Sequence, residues 1–555
     1  MYAYAVMIKN NKRRKANFDF SPIAECPLGC QCLQHSSEGG QKPFVPLTRE
    51  AVLMIERAAK SAKSYPHDEK PKSSSSLEKM IQENDVLYLK RLSEIVSIKS
   101  VSADPTLRED TIAVVFWAQR WCKRLGAKTT LYDLGLQDKD LPLPPILCAT
   151  FGNDPKKKTI LCYAHLDVQP ASKSDGWNSE PFEMEIRDGK CFGRGTTDDK
   201  GPALCWLNAI EALQQKDGEL PVNVKLLMES MEECGSLGAK RAVRMMSKRQ
   251  KFLDPRSVDF VCISDNYWTG PKKPCLTYGL RGLCHFSLTV ECSEKDLHSG
   301  VIGGSVHEAM TDLIRLLSTL VDTNGKILIE GINRDVKSVT KEERERYRDI
   351  DFDLETYRKD VGVSGDLMNG DSKTNLLMHR WRFPTLSIHG IEGAYSGAGA
   401  KTVIPGKVIG KFSIRLVPDM TPETVRDKVY KHIEKEWQKL KSPNHMSLKI
   451  DKGSMPWVCD PDGQNFQAAA RACKTVFGTS PDMTREGGSI PITLEFANLL
   501  GKEVVLLPIG ACDDMAHSQN EKINVRNYVS GIRLIAEYMK EISKIDEEDD
   551  GGVAV

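Results

Sequence analysis

The sequence predicts an α/β protein with a largely parallel sheet, into which a second compact unit is inserted, and three observations carry that prediction. Apolar runs of strand length, "KTILCYA" (158–164), "VNVKLLM" (222–228) and "VDFVCIS" (258–264), alternate with amphipathic helical stretches such as "PALCWLNAIEALQQ", the pattern of a sheet whose strands are joined by helices. Each run is followed within a few residues by ionisable groups: His165 and Asp167, then Glu232 and Glu233, then Asp265. Between about 278 and 454 the order becomes strand, helix, strand, strand, helix, strand, which is the ferredoxin-like order.

Along the chain, residues 1–76 stand apart. They carry the basic run "KNNKRRK" (9–15), the cluster Cys26, Cys30 and Cys32, and the linker-like "YPHDEKPKSSSS", and they read as a poorly ordered extension. The basic run reads as solvated charge, and the cysteines, although His35 is near, have no second pair at zinc-finger spacing. Residues 77–277 form the first part of the α/β domain, opening with helices through "NDVLYLKRLSEIVSI" and "TIAVVFWAQRWCKRLG" before the three apolar runs. The inserted unit, 278–454, is spelled by "CHFSLTVEC", "VHEAMTDLIRLLSTLV", "PTLSIHG", "VIGKFSIRLV", "PETVRDKVYKHIEKEWQKL" and "HMSLKID", with a polar helical insertion around "KEERERYRDIDFDLETYRKD". Residues 455–545 return to αβ alternation and complete the first domain, and the acidic 546–555 read as a solvated tail.

Composition narrows the partners. Lys plus Arg (77) balance Asp plus Glu (76), leaving a formal charge of +1 over 555 residues, so no global field favours nucleic acid or a membrane surface. A small-molecule partner is expected. Sixteen cysteines are scattered singly through apolar segments, as buried free thiols are, which places the protein in a reducing, cytoplasmic setting. No stretch reaches the ~18 apolar residues of a membrane span, and the start "MYAYAVMIKNNKRRKANF" puts its apolar run before its positive charges, the reverse of a secretory signal.

The ionisable groups at the strand ends converge on one cleft if the sheet is parallel, because ligands of open α/β sheets sit at the carboxyl ends of strands. "AHLDVQP" sets His165 and Asp167 two apart, so that one imidazole can face a cation while the carboxylate holds its other nitrogen. "GRGTTDDKGP" places Asp198 and Asp199 ahead of a helix beginning near Pro202; a capping aspartate is the simpler reading of that stretch alone. With His517 in "DDMAHSQNE", the set is two histidines and several carboxylates, a mixed N and O ligand group suited to Zn²⁺ or Mn²⁺. That many acids in one cleft repel one another unless cations neutralise them, and two divalent ions bridged by a carboxylate make a site for metal-assisted hydrolysis.

In order and spacing, "HLDVQP", "GRGTTDDKGP", "MEECGS", "ISDNYW", "TYGLRG", "DLHSG", "TREGGSIP" and "AHSQNE" resemble the M20 family of metallopeptidases, in the branch of cytosolic non-specific dipeptidases and carnosinases. The resemblance runs from about Leu77 to Ile545. It implies a dinuclear-metal peptidase domain with an inserted ferredoxin-like lid and dimerisation domain. By that resemblance Asp198 bridges two divalent ions, Mn²⁺ preferred and Zn²⁺ open, with His165 and Asp265 on one and Glu233 and His517 on the other. Asp167 then supports His165, and Glu232 is the general base toward a metal-bridging water that attacks the scissile carbonyl. His298 in "DLHSG" would stabilise the oxyanion from the neighbouring subunit of a homodimer. Thr402, Arg415, Ser489 and Glu486 would hold the substrate, with Arg415 as the clamp for a terminal carboxylate. The implied reaction is hydrolysis of unmodified dipeptides, Cys-Gly among them; deacylation of N-acyl amino acids is the alternative within the fold, and a non-catalytic binding protein the alternative outside it.

Overall fold

The computed structural model describes residues 76–545 apart from 139, 250 and 251. The basic run, the Cys26, Cys30 and Cys32 cluster and the acidic tail lie outside the described residues. Ser76 already opens a helix, Ser76–Glu83, one residue before the expected start of the ordered chain.

Following the chain, strands β1 (Lys128–Tyr132), β2 (Ile146–Phe151), β3 (Thr159–His165), β4 (Asn223–Glu229), β5 (Phe260–Ile263) and β6 (Cys275–Leu280) come first. The chain then leaves for β7 (Gly282–Glu291), β8 (Thr385–Glu392), β9 (Lys407–Leu416) and β10 (His445–Ser454), and returns with β11 (Trp457–Val458), β12 (Asp482–Glu486) and β13 (Val504–Leu506). The first and last groups make one nine-stranded sheet in the order β1-β2-β4-β3-β5-β13-β6-β11, with β12 pairing β6. Its centre, β4-β3-β5-β13, is parallel. The flanks are antiparallel except for β12, which runs parallel to β6: β1 on β2, β2 on β4, and β6 against β13 and β11. The sheet is therefore mixed, and the largely parallel sheet expected from the sequence holds for its centre. Periodicity marks where strands are, while direction depends on the connections, and those flanking β2 carry no crossover helix to make it parallel.

All residues of β3 and β4 are buried, as expected of central strands covered on both faces. Helices α1 (Lys200–Asp217) and α2 (Val525–Ile542) pack on one face, with Trp206 meeting Tyr538 edge-on at 6.3 Å. Two apolar cores result, one holding Trp206, Tyr538 and Leu226, the other Tyr163, Leu227 and Phe496.

The four strands β8-β9-β7-β10 form a separate, wholly antiparallel sheet, so the second, third, first and fourth of its strands in chain order lie side by side. Burial along β7 alternates strictly: Phe286, Leu288 and Val290 point into a core with Leu313 and Val429 of the covering helices. Burying each such side chain contributes about 1.5–3 kcal/mol. Two short links join the sheets. Arg281 alone separates β6 from β7, and Met455 and Pro456 separate β10 from β11. The links run side by side, with Leu280 opposite Trp457 and Leu283 opposite Ser454.

Candidate metal centre

His165 is the last residue of the buried strand β3, so its side chain is presented at the carboxyl end of the parallel centre. Its Nε2 lies 3.1 Å from Asp198 Oδ1 and 3.6 Å from Asp265 Oδ1. Asp265 stands two residues beyond β5. The other oxygen of Asp198, Oδ2, is 3.1 Å from His517 Nε2, which is itself 3.1 Å from Glu233 Oε2. The ligand atoms thus fall into two groups, His165 with Asp198 and Asp265, and Asp198 with Glu233 and His517, each within 4.8 Å of one another. One carboxylate, with one oxygen in each group, belongs to both.

The electrostatics of the cluster call for positive charge. Hydrogen bonds that His517 donates to the carboxylates of Asp198 and Glu233 push it up to about 10. Burial holds His165 down, but the carboxylates of Asp265, Asp167 and Asp198 win and raise it. Burial, with Asp198 and Glu233, pushes Asp265 up to about 6 against the pull of His165. Acids that raise one another and imidazoles drawn toward their cations describe a site short of positive charge. Two divalent ions on mixed N and O donors fit that deficit, and the donor set lacks the thiolates of a structural zinc site.

Glu232 and Glu233 follow β4 on a single helical turn, Glu232–Cys234, which ends at Gly235 with φ +85°. The carboxylate of Asp167 accepts from both amides, from Glu232 at 3.1 Å and Glu233 at 3.0 Å. Burial raises the Glu232 carboxyl well above the usual range, His165 opposes, and Asp265, Asp167 and Glu233 add to the rise. Toward His165, Asp167 offers chiefly its backbone oxygen, 3.1 Å from Nδ1, with a carboxylate oxygen at 3.5 Å. The support expected of Asp167 is thus divided between the imidazole and the turn bearing the two glutamates.

The capping reading of the Asp198–Asp199 pair does not hold. Helix α1 begins at Lys200, ahead of Pro202, and Asp199 makes no cap hydrogen bond from its side chain. Its Oδ2 accepts instead from the amide of His165 at 3.1 Å. The pull of the strand end outweighs local capping.

The residues expected on the substrate side stand on other elements than the two candidate ligand groups. His298 is exposed on a two-residue ribbon pairing Leu297–His298 with Val403–Ile404, next to Thr402, and its Nδ1 accepts from Gly300. Arg415 on β9 faces Leu283 and Thr385 in neighbouring strands. Burial lowers its pKa while Glu486, the last residue of β12, counteracts. Ser489 follows in the next turn, half-buried. Among the described residues none of these five shares a hydrogen bond or ion pair with the two ligand groups. The cluster assembled from the strand ends is brought together within one chain, and the substrate-side set is not joined to it there.

Several residues escaped sequence reasoning. Gln169 donates to Glu233 Oε2 at 2.8 Å. Arg281 joins the sheets and donates to Thr385 Oγ1 at 2.9 Å and to the Gly487 carbonyl at 3.2 Å. Arg194 and Glu521 form a buried pair at 2.8 Å beside the Asp198 loop. All four stand inside or beside the motifs, yet their partners are largely main-chain atoms or distant side chains, which a motif does not display.

A family model described as Peptidase family M20/M25/M40 matches residues 161–541. The chain is 47% identical over 462 residues to the Cys-Gly metallodipeptidase dug1 of Schizosaccharomyces pombe, covering 82% of this chain and 96% of that protein. It is 43% identical to the Beta-Ala-His dipeptidase of Homo sapiens over 503 residues, 89% of this chain and 97% of the human protein. Among solved structures, the dipeptidase Dug1p of Saccharomyces cerevisiae superposes with a TM-score of 0.79 at 44% identity, covering 85% of this chain and 99% of that one. The matched span takes in every residue of the two ligand groups, and the chain belongs to peptidase family M20/M25/M40.

Proposed function

We propose that the protein is a homodimeric, cytoplasmic metallodipeptidase that hydrolyses unmodified dipeptides, Cys-Gly among them, to free amino acids. The observation that carries the reading is the shared Asp198, with one oxygen 3.1 Å from His165 and the other 3.1 Å from His517. That division of one carboxylate between two ligand groups is what a pair of divalent ions needs. The names of the relatives, Cys-Gly metallodipeptidase and Beta-Ala-His dipeptidase, support dipeptides as the substrate class.

His165, Asp198 and Asp265 would hold one ion, and Asp198, Glu233 and His517 the other, Mn²⁺ by preference with Zn²⁺ as the alternative occupant. When bound, the ions polarise the scissile carbonyl and supply a water acidic enough to attack. Glu232, held by its amide on Asp167, is the base that takes the proton from the attacking water and later delivers it to the leaving amine.

Residues 77–277 and 455–545 are the catalytic domain, and 278–454 the lid and dimerisation domain, whose antiparallel strand order supports a ferredoxin-like assignment. His298 would stabilise the oxyanion in the neighbouring subunit's site, with Thr402 beside it. Arg415 would clamp the substrate carboxylate, Ser489 would help to hold the substrate, and Glu486 would stand near the free amine end or the metal. The exposure of His298 and the lack of a link to the ligand groups of its own chain support a role across a dimer interface.

The test is an assay of Cys-Gly beside N-acetyl-Cys-Gly, with metal-depleted protein and with protein reconstituted with Mn²⁺. Metal-dependent turnover of the free dipeptide is expected. Turnover of the acetylated compound alone would assign the site to an N-acyl amino-acid deacylase.

A further inference from the structure

Of the segments that bear the candidate ligands, those of His165, Asp198 and His517 are all touched by one buried ion pair. Glu521, fully buried, accepts from the amides of Gly195 at 3.0 Å, Thr197 at 3.1 Å and Asp198 at 3.2 Å. It also accepts from Arg194 at 2.8 Å. Arg194, itself 3% exposed, reaches the Ser518 carbonyl at 3.2 Å and the Pro170 carbonyl at 3.4 Å. Pro170 ends the loop of His165 and Asp167, and Ser518 follows His517 directly.

We infer that Glu521, with Arg194, is a positioning residue for metal binding: it sets the bridging carboxylate before any ion arrives and locks the His517 loop to it. This inference rests on the reading of Asp198 and His517 as metal ligands. Its physical basis is that a carboxylate has about four acceptor sites, and here three amides and a guanidinium take them up. Those amides belong to a tight loop that would otherwise present unpaired donors to a low-dielectric interior. Asp198 is thereby held by its own main chain, and its side-chain oxygens stay free for cations. The other ligands follow the same plan, His165 through Asp199 and Glu233 through Asp167. Glu521 ties together loops 323 residues apart, from Asp198 to Glu521, and the Thr197 hydroxyl adds a link to Asp514 at 2.7 Å. Carboxylates behind a metal's ligands typically change affinity about 10–100-fold when removed.

The experiment measures Mn²⁺ binding by calorimetry and metal content in the full chain, comparing wild type with Glu521→Gln, Glu521→Asp and, as a control on the ligands, Asp198→Asn. For a folded Glu521→Gln or Glu521→Asp variant, Mn²⁺ dissociation constants about 10–100-fold higher are expected, with KM for the dipeptide unchanged at saturating metal. If Asp198→Asn loses Mn²⁺ while both Glu521 variants bind it as wild type does, the role of Glu521 is overturned and the ligand reading stands. If Asp198→Asn retains Mn²⁺, the ligand reading itself fails. Hydrogen exchange of the metal-free wild type decides the matter even if neither variant folds. Amides 195, 197 and 198 are expected to be protected before Mn²⁺ is added; free exchange until Mn²⁺ orders the loop would overturn the inference.

Discussion

The carboxylate of Asp167 grips the amide of Glu233 at 3.0 Å while its own backbone carbonyl faces the imidazole of His165. One residue thus holds a member of each candidate ligand group, and it holds Glu232 as well through the neighbouring amide. Replacing Asp167 by Asn leaves one of the two acceptor oxygens and turns the other into a donor facing an amide. Asp167→Asn is expected to lower kcat/KM about 10–100-fold and to weaken Mn²⁺ binding in parallel, checked by steady-state kinetics across a metal titration. Unchanged metal affinity with unchanged kinetics would remove Asp167 from the site.

Glu232→Ala separates the base from the ligands. Because Glu233 and not Glu232 belongs to a ligand group, the variant is expected to keep both ions by metal analysis. Turnover should fall by about 10²–10⁴-fold, the usual worth of a positioned acid–base group. Wild-type turnover in the metal-loaded variant would refute the assignment.

His298 gives a complementation test. Glu232→Ala and His298→Ala homodimers are each expected to be nearly inactive. If His298 acts across the interface, mixing and re-associating them yields mixed dimers with one intact site, and about a quarter of wild-type activity at random exchange. No recovery after confirmed subunit exchange would place His298 in its own chain's site.

Gly282 marks the junction between the sheets. A Cβ there would lie 2.4 Å from the Ser454 carbonyl oxygen and 2.7 Å from the Pro456 nitrogen, both main-chain atoms that no rotamer change can move. Gly282→Ala is expected to cost about 1–3 kcal/mol, as forced overpacking does, read from the urea unfolding midpoint. A variant as stable as wild type would show that the two links part easily.

Lys225 supplies a pH dependence away from the metal cluster. Its ammonium donates to the Phe252 carbonyl and to Ser257 Oγ, each at 2.7 Å. Burial pushes it from an ordinary 10.5 down to about 8, with Asp254 and Asp259 opposing. Between those two values the unfolded chain binds more protons than the folded one, so folding gains stability as pH rises through the window. In Lys225→Met that gain is absent. The stability difference between wild type and variant should therefore move in favour of wild type from pH 7.5 to 10, measured by urea unfolding; a constant difference would contradict it.

Much of this was legible in the sequence for identifiable reasons. His165, Asp265 and the glutamate pair sit just past apolar runs of strand length, so a continuous apolar run followed by a charge located them. Asp198 and His517 came from motifs, and they meet only because a loop before α1 and a loop before α2 fold onto the same strand ends. The antiparallel flanks of the sheet were hidden because strand direction is set by connections that alternation does not encode. Glu521, Arg194 and Arg281 were hidden for a different reason: many of their partners are main-chain amides and carbonyls, and their side-chain partners lie more than 100 residues away. At Asp199 a local rule, helix capping, gives way to a long-range contact with the His165 amide.

The two ligand groups differ in one plain respect: the side chain of His165 is 1% exposed and that of His517 is 56% exposed. An ion held among His165, Asp198 and Asp265 would sit on side chains no more than 10% exposed, whereas one held by His517 would lie beside a solvent-facing imidazole. Under chelation the two positions should empty in sequence rather than together, and partial starvation would leave a population of half-loaded molecules. The supply of free divalent cation, and not only the supply of dipeptide, would then set how much working enzyme a cell has.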